Sequence, residues 1–304
     1  MPKSKLLCIV GQTGTGKTSL ALALAKKKPI SVINFDSRQV YKDFPIVTAQ
    51  PSFEEQKECP HYLFGFLEVD KKITAGEFVR LAKERIKKEI QKGRFPVLVG
   101  GTGLYLKALL YGLAPIPEIS SEVRDEVENL RETKGLGFLY SFLQKVDSVY
   151  ANRIHPNDKQ RITRALEVYL QTGKPFSTWH QKTPSEKKYN FLKVGLKMDV
   201  NILVDYLSER IEKMIEQGAI DEVKRAIVKY KDKTLPGFSG IGIPEIIEYL
   251  ENKISFKEMQ RKWLKNTRAY AKRQLTWFKK EKDVFWFSPL NLKEAIQHIE
   301  QWLK

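Results

Sequence analysis

Cysteine is scarce, with two in 304 residues, Cys8 inside an apolar run and Cys59 in a loop. That count offers neither a disulfide framework nor metal-ligand spacing. Histidine is nearly as rare, with four; His61 and His155 sit beside prolines and are expected to be structural. No apolar stretch approaches the roughly 20 residues that a membrane-spanning helix needs, so no membrane partner is expected. The first strand begins within five residues of the start, so no signal or transit peptide is expected and the cytoplasm is the expected setting. There are no internal repeats and no low-complexity tracts. Acid is in short supply against base: 36 Asp plus Glu face 53 Lys plus Arg, a net charge of +17. A small-metabolite enzyme has no need of that excess, whereas a polyanionic partner rewards it by counterion release. A generally charged surface is the plainer explanation, so charge alone does not choose.

One further absence carries chemistry. In motors and GTPases a buried strand usually ends in Asp, which helps to place Mg²⁺ and the hydrolytic water. Here the strand Val97-Leu98-Val99 ends in Gly100-Gly101-Thr102. Yet the partner of that acid is present. Gly11-Gln12-Thr13-Gly14-Thr15-Gly16-Lys17-Thr18 follows the apolar run Leu6–Val10 and precedes a helix, the context that marks a phosphate-binding loop. Its glycines let successive N–H groups curl around phosphate oxygens, and the helix N-terminus adds its dipole. Lys17 supplies a point charge to the terminal phosphate, and the Thr18 hydroxyl is placed to hold Mg²⁺. Gly11, Thr13, Gly14, Thr15, Gly16, Lys17 and Thr18 are therefore the expected diphosphate-binding residues.

Strands expected at 5–10, 30–35 and 95–99 alternate with helices, one opened by the capping box Thr74-Ala75-Gly76-Glu77 and running to about Gln91. Such alternation gives an α/β fold, a parallel sheet covered by helices on both faces, with ligands at the carboxyl ends of the strands. After Ala114-Pro115-Ile116-Pro117 only helices are expected, at about 121–133, 136–145 and 157–171. A strand resumes at 191–196, followed by helices near 201–217 and 219–231, a loop with Gly237, Gly240 and Gly242, a basic helix over 256–281 and a last strand at 284–287. The expected organisation is a P-loop core over 1–113 and 188–304 with an all-helical insertion domain over 114–187.

Three further features carry chemistry. Asp36 is the only carboxylate at a strand end near the loop, placed as a general base, a Mg²⁺ outer-sphere acid or a helix cap. Arg210 projects into the apolar stripe Leu203, Leu207, Ile211, Met214, where a guanidinium is costly unless it meets an anion. That anion is either a buried carboxylate or the phosphate group itself. On the helix 256–281, Arg261, Lys265, Arg268, Lys272 and Lys279 share a face, while Trp263, Tyr270 and Trp277 recur every seven residues on another. The basic face is either a solvated surface or a nucleic-acid backbone contact. Asp158-Lys159-Gln160-Arg161-Ile162-Thr163-Arg164 puts two arginines and a glutamine on the first turns of another helix.

Together these pieces resemble the tRNA dimethylallyltransferases (tRNA isopentenyltransferases). The resemblance runs through Gly11–Thr18, Asp36–Tyr41, Thr48–Pro51, Pro60-His61, Val99–Tyr105, Arg153–Asp158, Arg161, Arg164–Val168 and Ala271–Gln274. One departure is Ile241–Glu245, where the family usually carries an aromatic and a basic or polar residue. The resemblance implies transfer of a dimethylallyl group from dimethylallyl diphosphate to the exocyclic amine of the adenosine 3′ of the anticodon. It implies Asp36 as the catalytic acid that accepts a proton from, or orients, the attacking amine, and Thr102 as a hydroxyl near the reacting centre. Arg210, Lys17 and Thr18 with Mg²⁺ would then hold the leaving diphosphate. Asp36, Ser37, Arg38, Gln39, Thr102, Arg124, Gln160, Arg161, Ile162, Thr163 and Arg164 would contact the anticodon stem-loop, and Lys265, Arg268, Lys272 and Arg273 its backbone. The enzyme is expected to act as a monomer. The main rival from the residues is an ATP-dependent small-molecule or nucleoside kinase, which leaves the charge and the insertion unexplained. A prenyltransferase acting on free AMP or ADP and a nucleotide-dependent RNA-binding switch are weaker rivals.

Overall fold

The computed structural model describes residues 3–182 and 187–304. Among them, six parallel strands form one sheet in the order β3-β2-β4-β1-β5-β6: β1 Lys5–Gly11, β2 Ile30–Asn34, β3 His61–Tyr62, β4 Phe95–Val99, β5 Asn190–Leu196 and β6 Val284–Phe287. The register sets Leu7 beside Val97 and Leu192, so the central strands are short, buried on both faces and almost wholly apolar, as parallel strands under helices must be. The helices are α1 Lys17–Ala25, α2 Phe53–Glu58, α3 Ala75–Gln91, α4 Gly103–Tyr111, α5 Ser121–Val146, α6 Ser148–Ala151 and α7 Lys159–Thr172. They continue as α8 Phe176–Gln181, α9 Val200–Glu216, α10 Ala219–Tyr230, α11 Ile243–Leu250, α12 Phe256–Phe278 and α13 Leu292–Leu303. No described helix is long and apolar enough to cross a membrane.

The chain divides into two compact units, residues 1–110 with 187–304, and residues 111–186. In the first, Leu7, Ile9, Val32, Val97 and Val194 pack against Leu20 and Leu24 of α1 and Ala295 and Ile299 of α13. Alternate residues, Leu6, Cys8, Ile33 and Leu98, are buried on the opposite face, where α3 packs on β2 and β4 and α12 on β1. A second apolar cluster joins Val40, Phe44 and Val47 to α9, α10, α11 and Trp263 of α12. In the second unit, Val127, Leu139, Leu143, Ile162, Ala165 and Leu166 make a separate helical core. There α5 breaks at Gly135, whose φ of 79° is non-helical, so the two helices expected on either side of it form.

Several elements escape the periodicity of the sequence. β3 has two residues and α2 six, too few for a pattern to register. α11 follows Gly242 and carries Pro244 in its first turn, so the glycine and proline read as a loop. α13 covers the sheet with Ala295 and Ile299; the spacing of Leu292, Ala295, Ile296 and Ile299 is helical, so this element, unlike the others, is visible in the periodicity. α12 stops at Phe278 rather than 281.

Candidate active site

The carboxyl ends of β1, β2 and β4 converge, because in a parallel sheet every strand points the same way and the chain must turn there into its helix. After β1, Gly14 takes φ 82°, and a Cβ built on it would stand 2.7 Å from Leu207 Cδ2 of α9. Only glycine meets both conditions. α1 opens at Lys17 behind Gly16, which gives no side-chain cap, so the first-turn N–H groups are left for a ligand. Lys17 Nζ donates to Gly11 O at 3.2 Å and Gln12 O at 2.7 Å. Burial pushes its pKa down to about 8, with Asp36 opposing that shift and Arg210 adding to it. Thr13, Gly14, Gly16, Lys17 and Thr18 line a cavity of about 990 Å³. Gly11 and Thr15 do not line it: Gly11 closes β1 against the Leu196 backbone, and the buried Thr15 hydroxyl donates to Gln12 O at 2.8 Å. The Thr15 side chain is therefore not a phosphate ligand; its amide alone remains for that purpose.

β2 delivers Asp36. Asn34, buried at the strand end, accepts from Asp36 N at 2.7 Å and donates to Leu63 O at 2.8 Å, which fixes the turn. Asp36 Oδ1 accepts from Arg38 N at 2.9 Å. Oδ2 has no hydrogen bond among the described residues, and Asp36 lines the same cavity as Lys17. Thr102, after β4, is engaged differently from the expectation. Its hydroxyl accepts from Ser37 N at 2.9 Å and donates to Ser37 Oγ at 3.2 Å, and it does not line the cavity. It ties the β4 turn to the Asp36 turn.

The two glycines between β4 and Thr102 explain the missing strand-end acid. A Cβ at Gly100 would lie 2.6 Å from the Phe35 carbonyl carbon. One at Gly101 would run into the Gln274 carboxamide and come within 3.2 Å of Asp36 Oδ2. Gln274 is 4% exposed, and its Oε1 accepts from Thr13 N at 2.7 Å, locking α12 to the phosphate loop. Residue chemistry alone gave Gln274 no role, since its contact spans 261 positions; its place in the Ala271–Gln274 motif was the one available signal.

The α9 wall carries Arg210 among Leu207, Ile211 and Met214, all lining the cavity. Arg210 makes no hydrogen bond or ion pair among the described residues. Of the two anions open to it, the buried carboxylate is not there. Burial pushes its pKa down, opposed by Asp36 and Glu55, so its guanidinium donors are unspent beside the phosphate loop. For a divalent metal the donors are few: no cluster of three His, Cys, Asp or Glu exists among the described residues. The Thr18 hydroxyl is a hard oxygen donor at the helix start. Such a set suits Mg²⁺ carried chiefly by phosphate oxygens and water.

The expected RNA-binding residues separate into groups. Arg38 and Gln39 line the cavity, but Arg38 Nη1 donates to Ser239 Oγ at 2.8 Å, and Gln39 Nε2 donates to Thr48 O at 3.1 Å and Ala49 O at 2.5 Å. On α12, Lys265, Arg268, Lys272 and Arg273 are exposed and none is paired with a carboxylate among the described residues. Arg273 also lines the cavity and sits over the Tyr270 ring, 5.7 Å from its centroid. In the second unit, Arg124, Gln160 and Arg161 are exposed. Arg161 lies 3.4 Å from Asp158, Arg164 lies 3.2 Å from Glu167, and the Thr163 hydroxyl bonds back to Lys159 O. Ile162 is fully buried in the helical core. It cannot touch RNA, because its helix turns that position inward with Ala165 and Leu166.

The family model described as IPP transferase matches residues 39–281. A tRNA dimethylallyltransferase of Maridesulfovibrio salexigens is 52% identical over 98% of this chain and 97% of its own. That of Lawsonia intracellularis is 46% identical over 98% of both. Among solved structures, the full-length tRNA isopentenylpyrophosphate transferase of Bacillus halodurans superposes with a TM-score of 0.71 at 34% identity, covering 99% of this chain and 96% of that one. A eukaryotic dimethylallyltransferase acting on tRNA superposes with a TM-score of 0.82 at 28% identity, covering 94% of this chain and 74% of that one.

Proposed function

The chain belongs to the IPP transferase family, and from that premise we infer that it transfers a dimethylallyl group from dimethylallyl diphosphate to the exocyclic N6 amine of the adenosine 3′ of the tRNA anticodon, releasing diphosphate. The relatives described above are transferases of this kind and give no support to phosphoryl transfer. The observation that carries the reading is one cavity lined at once by the phosphate loop, by Arg210 and by Asp36. A cationic cradle and a carboxylate with a spare oxygen are what an alkylation with a diphosphate leaving group asks for.

The N6–C bond forms as the C–O bond to diphosphate breaks, and the proton displaced from N6 passes to Asp36 Oδ2. Lys17, the amides at the head of α1 and Arg210 hold the charge that the diphosphate gains on leaving. The Thr18 hydroxyl would hold Mg²⁺, which would supply positive charge against the charge on the departing diphosphate. The allylic carbon ionises readily, so positioning and exclusion of water suffice. Leu207, Ile211 and Met214 supply a dry wall. To reach so recessed a site the adenine must leave its stack. Lys265, Arg268, Lys272 and Arg273 meet the RNA backbone, and the exposed Arg124, Gln160 and Arg161 are proposed to do so from the second unit.

The test is mass analysis of unmodified tRNA incubated with dimethylallyl diphosphate and Mg²⁺, with ATP as control. One five-carbon unit on one adenosine is the expected result; a phosphate on product or tRNA, or no change, sinks the reading. Asp36→Asn should cost about 10²–10⁴-fold in turnover, the range for a lost general base, with tRNA affinity retained. Comparable turnover in that variant would remove Asp36 from proton transfer.

A further inference from the structure

Residues 44–50 form one side of the cavity, with Pro45, Ile46, Val47 and Ala49 among its lining, yet the segment belongs to no strand or helix. Most of its hydrogen bonds are local: Gln39, Thr48 and Gln50 side chains return to carbonyls between 41 and 49. Ala49 is held at φ 52°, a left-handed conformation unusual for a residue with a side chain. Such a conformation persists where the surroundings over-determine it.

Among the described residues, the hydrogen bonds that reach this segment from a distant element come from Glu222. Its Oε1 accepts from Ile46 N at 2.7 Å and its Oε2 from Val47 N at 2.8 Å, across 176 and 175 positions. Glu222 is 3% exposed, does not line the cavity and makes no salt bridge among the described residues. A carboxylate is the one side-chain group that offers two acceptors in this bidentate arrangement, and an amide side chain would set its own donor against an N–H. Its place near the N-terminus of α10 gives the charge the helix dipole in place of a cation.

We propose that Glu222 is a positioning residue for donor binding, its carboxylate fixing residues 44–50 as the rigid wall against which the donor is seated. The proposal rests on the transfer reaction inferred above. Because the wall is set by two charge-assisted bonds, it is also sensitive to protonation. Burial raises the Glu222 pKa to about 7, against the two amide bonds and Arg225, which lower it; Asp43 adds to the rise. Asp43 is itself held by Lys229 at 2.8 Å and by the Tyr230 hydroxyl at 2.8 Å. Above pH 7 both oxygens accept; below it one becomes a hydroxyl and an amide loses its partner.

The test compares the full-length protein with Glu222→Gln in steady-state transfer to tRNA between pH 6 and 8.5, alongside hydrogen exchange of the Ile46 and Val47 amides. At pH 8 the variant should raise the KM for dimethylallyl diphosphate about tenfold, as for one lost charge-assisted bond, with kcat changed far less. The two proteins should converge towards pH 6, a comparison in which the donor's own ionisation cancels. Exchange at both amides should be faster in the variant at pH 8. Equal donor KM with equal exchange at pH 8 overturns the proposal. So does a loss confined to thermal stability, which is all that a merely structural role would produce. If Glu222→Gln does not fold, Glu222→Asp decides: its shorter carboxylate cannot meet both amides as the parent does, so at pH 8 the donor KM should rise and both amides should exchange faster, and parent values for both overturn the proposal. Failure of the parent protein to transfer the group refutes the functional reading instead, and the exchange comparison still judges Glu222.

Discussion

Gly101→Ala is a one-carbon change at the point where three parts of the site meet. The added methyl would overlap the Gln274 carboxamide and approach Asp36 Oδ2 to 3.2 Å. Neither neighbour yields cheaply: Gln274 is buried and spends its oxygen on Thr13 N at 2.7 Å, and Asp36 is pinned through Oδ1 to Arg38 N. Overpacking costs about 1–3 kcal/mol, and losing the Thr13–Gln274 bond about 1 kcal/mol more. The total of about 2–4 kcal/mol corresponds to roughly 30- to 1,000-fold in kcat/KM if it falls on the transition state. A thermal melt reports the share borne by folding instead. The discriminating assay is a double-mutant cycle with Gln274→Ala. Truncating the carboxamide frees the space, so the penalty of Gly101→Ala should shrink by at least about 1 kcal/mol in that background. Additivity within about 0.5 kcal/mol would show that the methyl and the carboxamide do not meet, and would refute the explanation for the glycine pair.

Arg210→Ala should weaken binding of inorganic pyrophosphate by about 10- to 150-fold, the range for hydrogen bonds to a charged group; calorimetric affinity unchanged from the parent returns Arg210 to a packing role. The Lys17 ammonium, at about 8 in the free protein, should gain a proton partner's worth of stabilisation from the bound anion. Measured against Lys17→Met, so that the ionisation of pyrophosphate itself cancels, the parent's affinity advantage should therefore be flat below pH 8 and shrink by up to about tenfold per unit above it. Arg210→Ala removes one charge that depresses Lys17, so the alkaline limb should move to higher pH; a limb that stays put assigns it to another group. Lys272→Ala should weaken tRNA binding and reduce the slope of log affinity against log salt by about 1, as for one lost phosphate contact. An unchanged slope would leave that lysine outside the RNA footprint.

Much of the site was legible because it is local in the chain. The phosphate loop is a spacing of glycines between an apolar strand and a helix, and Asp36 and Gly100–Thr102 stand at the ends of strands whose direction the alternating pattern implies. Arg210 was legible because a charge in an apolar stripe breaks a helical period. Ile162 was misassigned for the opposite reason: it travelled with polar neighbours in a motif, although its own spacing to Ala165 and Leu166 marks it as core. The resemblance alone places Thr102 near the reacting centre; the structure adds that its hydroxyl is bonded to Ser37, beside Asp36.

What the amino-acid order determined by itself is the set of groups that short-range geometry can deliver: a phosphate cradle, a strand-end carboxylate, a cationic helix face. What only the folded chain decided is how these groups are held against one another. Gln274 reaches Thr13, and Glu222 reaches Ile46 and Val47, across separations of 261, 176 and 175 residues. No local periodicity encodes a hydrogen bond of that span. It exists because the parallel sheet and the helices packed on it bring distant segments within about 3 Å, where a buried amide must find an acceptor.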